Sequence, residues 1–99
     1  MGAAGLSVVI PFRNEAPALV PLHRELARVL DALRMESEIL FVDDASDDGG
    51  GELIARLAAT DERVRLLTLT PRAGQSAALE AGFRAATGGV VATMDADLQ

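Results

Sequence analysis

Two carboxylates spaced two positions apart, Asp95 and Asp97, close a short apolar run from Gly89 to Met94. Side chains alternate faces along an extended chain, so these two point the same way. Like charges on one face repel unless a cation or a set of N–H donors lies between them. Carboxylate oxygens suit Mg²⁺ or Mn²⁺, ions that ride on a diphosphate more often than they sit in an all-protein cage. Gln99 adds an oxygen donor on the same face. Alone, the Asp-Ala-Asp string is common, and a solvated strand end explains it equally well. Its weight comes from its place after a buried-type strand at a ligand rim.

Three other stretches carry polar chemistry. Asp43-Asp44 ends a second apolar run, where adjacent acids are costly unless solvated or used. Asp43 suits a hydrogen-bond acceptor for a base or ribose; the competing reading is a capping cluster with Ser46, Asp47 and Asp48. Phe12-Arg13-Asn14-Glu15 follows the first apolar run and reads either as pocket lining or as a cap with solvated charges. Arg72-Ala73-Gly74-Gln75-Ser76 offers a guanidinium and backbone N–H groups to phosphate at a helix start, and an ordinary turn reads as well there. His23 lies in a helix-like stretch and reads as a surface or boundary side chain.

Composition narrows the classes. The 99 residues make at most one domain, and 49% of them are hydrophobic, enough to fill a core. The net charge of −6 and a pI near 4.6 argue against a general binder of nucleic acid or acidic membranes. All nine basic residues are arginine, which removes every mechanism with an obligatory lysine. Cysteine is absent, so neither a disulfide framework nor a thiolate zinc site is available. No secretory signal or membrane-spanning run is legible. A cytoplasmic protein is expected, with the parent at the cytoplasmic membrane face.

The elements that must position these groups alternate. Leu6 to Pro11 reads as a central parallel strand buried on both faces. A helix follows, with Asn14 as its cap and an apolar stripe of Leu19, Leu22, Leu26, Val29, Leu30 and Leu33. Glu38 to Asp44 is a second strand; a glycine-rich loop, capped by Ser46 or Asp47, leads to a helix with Leu53, Ile54 and Leu57 inward. Arg63 to Leu69 alternates and suits a strand nearer an edge. Gln75 to Thr87 is an Ala- and Gly-rich helix able to pack close, and Gly89 to Met94 is a buried fourth strand. The pattern βαβαβαβ predicts an α/β fold: an open, mostly parallel Rossmann-like sheet in the order 3-2-1-4. Ligands bind such sheets outside the carboxyl ends of the strands, where the order reverses. Pro11 to Glu15, Asp43 to Ser46, Pro71 to Gly74 and Asp95 to Gln99 then share one rim.

Taken together, Val9-Ile10-Pro11-Phe12-Arg13-Asn14-Glu15, Val42 to Gly49, Gly74-Gln75-Ser76-Ala77-Ala78-Leu79 and Met94 to Gln99 resemble the family 2 glycosyltransferases of the GT-A fold. Within that family the chain looks most like the polyprenyl-phosphate sugar transferases. The resemblance implies a nucleotide-sugar pocket lined by Pro11, Phe12, Arg13, Glu15, Asp43, Asp44, Arg72, Gln75, Asp95 and Ala96. It implies a metal site, Mg²⁺ or Mn²⁺, on Asp95, Asp97 and Gln99, with Asp97 as the catalytic carboxylate. Position 13 is Arg where the family commonly has Tyr, and Ala45 replaces a common Gly at small expected cost.

The expected function is inverting transfer of a hexose from a UDP- or GDP-sugar to an acceptor, expected to be polyprenyl phosphate. The chain is expected to be the N-terminal, nucleotide-sugar-binding part of a longer enzyme, stopped just after the metal motif and inactive alone. A second copy of the chain, meeting it at the surface so exposed, is a further expected partner; nucleic acid is not. A dinucleotide oxidoreductase is disfavoured, because no G-x-G-x-x-G turn follows the first strand. A phosphoacceptor receiver module shares the paired acids at Asp43-Asp44 but needs a lysine. A non-catalytic nucleotide-binding fragment is the remaining alternative.

Overall fold

The computed structural model describes residues 5–96. Its strands are β1 (Leu6–Phe12), β2 (Ser37–Asp44), β3 (Val64–Leu69) and β4 (Val90–Thr93). The helices between them are α1 (Ala16–Ala32), α2 (Gly50–Thr60) and α3 (Gln75–Ala85). The sheet is all-parallel in the order β3-β2-β1-β4, as the element pattern predicts.

Alternation along β1 and β2 sorts the core into two layers. Val8, Ile10, Phe12, Ile39 and Phe41 face α1 and α2, joining Leu19, Leu22, Leu26, Leu30 and Ile54. Phe12 and Phe41 meet edge to face, their centroids 6.2 Å apart. Val9, Leu40 and Val42 face α3 and pack on Ala78. Small residues bring α3 close: Gly82 is buried, and a Cβ there would run into the Val9 side chain.

Three expectations are corrected. The α1 stripe is narrower than its spacing suggests: Val29 and Leu33 are 56% and 41% exposed, although Leu30 between them is buried, so the buried face follows Leu19, Leu22, Leu26 and Leu30 alone. β4 is an exposed edge strand and not a buried one; every residue from Val90 to Thr93 is exposed, since among the described residues β1 alone pairs with it. Asn14 does not cap α1. The N-cap is Glu15, without a side-chain bond, and Asn14 adopts a φ of +57° one residue earlier.

Buried polar residues pin the amino ends of the strands. Glu38, 7% exposed, accepts hydrogen bonds from Ser7 Oγ (2.6 Å), Thr87 N–H (2.7 Å) and Arg65 Nη1 (2.7 Å). Burial pushes this carboxyl up, but those donors overcome it and hold it at about 2. On the far side of α1, His23 Nε2 meets Asp61 Oδ2 at 2.8 Å, and Arg63 joins Asp61 to Asp31. His23 is therefore a boundary side chain, as its helical setting suggests.

Candidate nucleotide-binding site

A cleft of about 370 Å³ opens at the carboxyl ends of the strands, within the range of small-molecule sites. Pro11 and Phe12 line it at the end of β1, Arg13 and Glu15 just after it, Asp44 at the end of β2, Arg72 after β3, Gln75 and Ala78 on α3, and Asp95 and Ala96 after β4. The paired registers explain why these groups converge. Phe12 stands beside Asp43, Asp43 beside Thr68, and Val9 beside Thr93, so the strands run out on a common side.

The two adjacent acids serve different walls. Asp43 lies on the α1–α2 face, where Oδ1 accepts the Ser46 N–H at 2.8 Å. A Cβ placed on Gly51 would sit 2.7 Å from Asp43 Oδ2, so this carboxylate is tucked under the start of α2. Asp44 lies on the α3 face, and its oxygens accept the N–H groups of Ala73 (2.7 Å) and Gly74 (2.8 Å). Those two bonds fix the connection that carries Arg72 and opens α3. Asp44 thus shapes the cleft and lines it, whereas Asp43 lies outside the lining.

The β2–α2 loop caps differently from the Ser46 or Asp47 expectation. The α2 N-cap is Gly49, at a φ of +90°, which has no side chain to cap with. Asp48 Oδ1 takes the Gly50 N–H at 3.0 Å, while Asp48 Oδ2 reaches across to the Ala16 N–H at 2.9 Å. Ala45 holds a φ of +60°, so the replacement of glycine there places a Cβ in a region that L residues avoid.

Of the residues named from sequence, Pro11, Phe12, Arg13, Glu15, Asp44, Arg72, Gln75, Asp95 and Ala96 share the cleft. Asp97 and Gln99 lie outside the described residues. Ala78 lines the cleft without having been singled out; its spacing of three from Gln75, on one helical face, is the signal that would have found it. Asp95 is exposed, and no described residue donates to its carboxylate. Among the described residues, no three acids or histidines gather as a self-sufficient metal site. The Asp95 and Glu15 carboxylates share the cleft with the Arg13 and Arg72 guanidinium groups, a set that fits an ion arriving with its own phosphate oxygens.

A parallel 3-2-1-4 sheet with its cleft at the β1/β4 reversal is a Rossmann-like α/β fold, and the solved structures it superposes on are GT-A glycosyltransferases. The chain belongs to glycosyl transferase family 2, whose model matches residues 7–99. The undecaprenyl-phosphate 4-deoxy-4-formamido-L-arabinose transferase of Aeromonas hydrophila is 41% identical over 95 residues, covering 95% of this chain and 29% of that protein. The transferase of the same name from Pseudomonas fluorescens is 42% identical, covering 95% and 28%. Among solved structures, the mannosyltransferase PcManGT of Pyrobaculum calidifontis, in complex with GDP-Man and Mn²⁺, superposes with a TM-score of 0.74 at 31% identity, covering 96% of this chain and 28% of that one. The chain therefore spans under a third of the length of these relatives. Among the described residues, no helix is long and apolar enough to cross a membrane.

Proposed function

We propose that this chain is the donor-binding half of an inverting glycosyltransferase that moves a hexose from a UDP- or GDP-sugar to polyprenyl phosphate. The observation that carries the reading is the convergence of Asp95, Arg13 and Arg72 on one cleft at the sheet's reversal point. A carboxylate suits a divalent ion, and guanidinium groups suit phosphate oxygens. The acceptor follows from the relatives, which are named as undecaprenyl-phosphate transferases, and Mn²⁺ or Mg²⁺ from a 31% identical mannosyltransferase solved with Mn²⁺.

In this reading Asp95, with Asp97 and Gln99, holds the ion, which supplies charge stabilisation for the departing nucleoside diphosphate. Arg72 and Arg13 bind the phosphates, and Pro11 and Phe12 form the apolar floor. Asp44 holds the Arg72 loop in place. An acceptor phosphate oxygen forms the new bond to the anomeric carbon as the bond to the diphosphate breaks. That nucleophile is already an anion, so the step needs no general base. Asp97, the catalytic carboxylate of this scheme, acts through the ion.

Calorimetry tests the donor half. UDP or GDP, with their sugars, should bind the whole protein with Mn²⁺ present, and Asp95→Ala should weaken binding about a hundredfold, the scale of losing a charge-assisted contact. Metal-independent binding that survives Asp95→Ala would remove the ion from the scheme. Transfer of labelled hexose to polyprenyl phosphate by the whole protein tests the acceptor half. The same assay without product, on a donor-binding protein, would leave a non-catalytic nucleotide binder.

A further inference from the structure

Asn14 stands between two cleft-lining residues, Arg13 and Glu15, without lining the cleft itself. Its φ of +57° is a conformation that L side chains rarely adopt and that Asn tolerates better than most. This reversal is held from the neighbouring loop. The Asn14 N–H donates to Ser46 Oγ at 2.9 Å, and Asn14 Oδ1 accepts the Asp47 N–H at 2.9 Å. Two residues on, the Ala16 N–H that opens α1 donates to Asp48 Oδ2, and Asp48 Oδ1 takes the first N–H of α2. One carboxylate thus caps two helices, and three hydrogen bonds cross between the β1–α1 and β2–α2 connections. Neither Asn14 nor Asp48 reaches the cleft.

We infer that Asn14 and Asp48 are positioning residues for donor binding: together they lock the β1–α1 turn so that Arg13 and Glu15 face the nucleoside diphosphate. The inference rests on the donor reading of the cleft. A turn free to relax to negative φ would swing both charged side chains, so the lock removes an ordering cost at the moment of binding. The ligand meets the same atoms in either case. The loss therefore falls on affinity and leaves turnover at saturation in place.

The test is calorimetric UDP and GDP binding to the whole protein with Mn²⁺, together with donor KM and kcat, for Asn14→Ala, Asn14→Asp and Asp48→Asn. Asn14→Ala and Asp48→Asn should each raise Kd and KM about tenfold, the worth of one or two hydrogen bonds, with kcat within about twofold. Asn14→Asp keeps the acceptor and the tolerance of positive φ, so its Kd should stay within about threefold of the unaltered protein. A purely structural role predicts a lower melting temperature with Kd unchanged in the folded protein, and that result overturns the inference. If Asn14→Ala does not fold, Asp48→Asn decides, because Asp48 touches no ligand. Failure of the unaltered protein to bind either nucleotide overturns the donor reading itself, a result separate from equal binding by variant and parent.

Discussion

Glu38 Oε2 accepts the backbone N–H of Thr87 at 2.7 Å, joining the start of β2 to the turn ahead of β4 across 49 positions of chain. Ser7 Oγ donates to the same oxygen and in turn receives the Gly88 N–H at 2.9 Å, so one acid gathers three strands. The exposed edge strand that delivers Asp95 is moored by this acid at the end opposite the cleft.

This mooring has a pH signature. Burial raises the Glu38 carboxyl, yet its donors bring it from 4.5 down to about 2. Burial likewise raises Asp61, but Arg63 and His23 bring it from 3.8 to about 2. Both folded values lie below the unfolded ones, so the stability they contribute is complete above pH 4.5 and drains away as pH falls toward 2. The contribution of Glu38 is on the order of 3 kcal/mol at neutral pH. Urea titrations should show midpoints falling through that window. Glu38→Gln should be less stable by a similar amount at neutral pH and should lose part of the acid slope. An acid slope identical to the parent's would assign the effect elsewhere.

Ala45 is the position where a one-atom deletion should help. Its φ of +60° costs an L residue about 1–2 kcal/mol, while glycine's freer unfolded chain returns about 0.4–1 kcal/mol. Ala45→Gly should therefore stabilise by roughly 0.5–1 kcal/mol, read as a higher melting temperature. A lower one would mean that the alanine methyl makes a packing contribution larger than the backbone strain.

Two glycines should refuse a methyl group, to different degrees. At Gly82 the obstacle is the buried, β-branched Val9 side chain, which can shift only by small repacking of its neighbours, and Gly82→Ala should cost about 1–3 kcal/mol. At Gly88 a Cβ would stand 2.7 Å from the Ser7 backbone nitrogen and 2.8 Å from its hydroxyl. Backbone cannot step aside, so Gly88→Ala should be the more damaging in chemical denaturation. The reverse order would contradict the packing described.

Asp44→Asn isolates the loop tie. An amide keeps one oxygen where two N–H groups arrive, so Ala73 or Gly74 loses its acceptor. A cost of about 1–3 kcal/mol is expected, together with faster amide exchange at the orphaned position. Unchanged exchange at both amides would show that the loop holds itself.

Much of this was legible from the letters. The apolar runs and the helical spacing between them place every strand and helix to within a few residues, and the alternating βαβ pattern points to the doubly wound order that the sheet adopts. The cleft residues follow because strand ends in a parallel sheet must converge. What escaped is tertiary. Nothing local says that α1 is capped by Asp48, 32 positions away, while Asn14 beside it turns to another loop. The exposure of β4 escaped for a different reason: an apolar run is the same string of letters whether one neighbour covers it or several do.

Alternation along β2 has one last implication. Asp43 and Asp44 succeed in separate duties only because consecutive side chains leave a strand in opposite directions. A single residue inserted after Ile39 would move Asp43 into the slot that holds the α3 loop and Val42 into the slot beneath α2, where no carboxylate would remain to accept the Ser46 N–H. The doublet is thus a phase marker for the entire strand, and its spelling cannot drift even though each letter is the same.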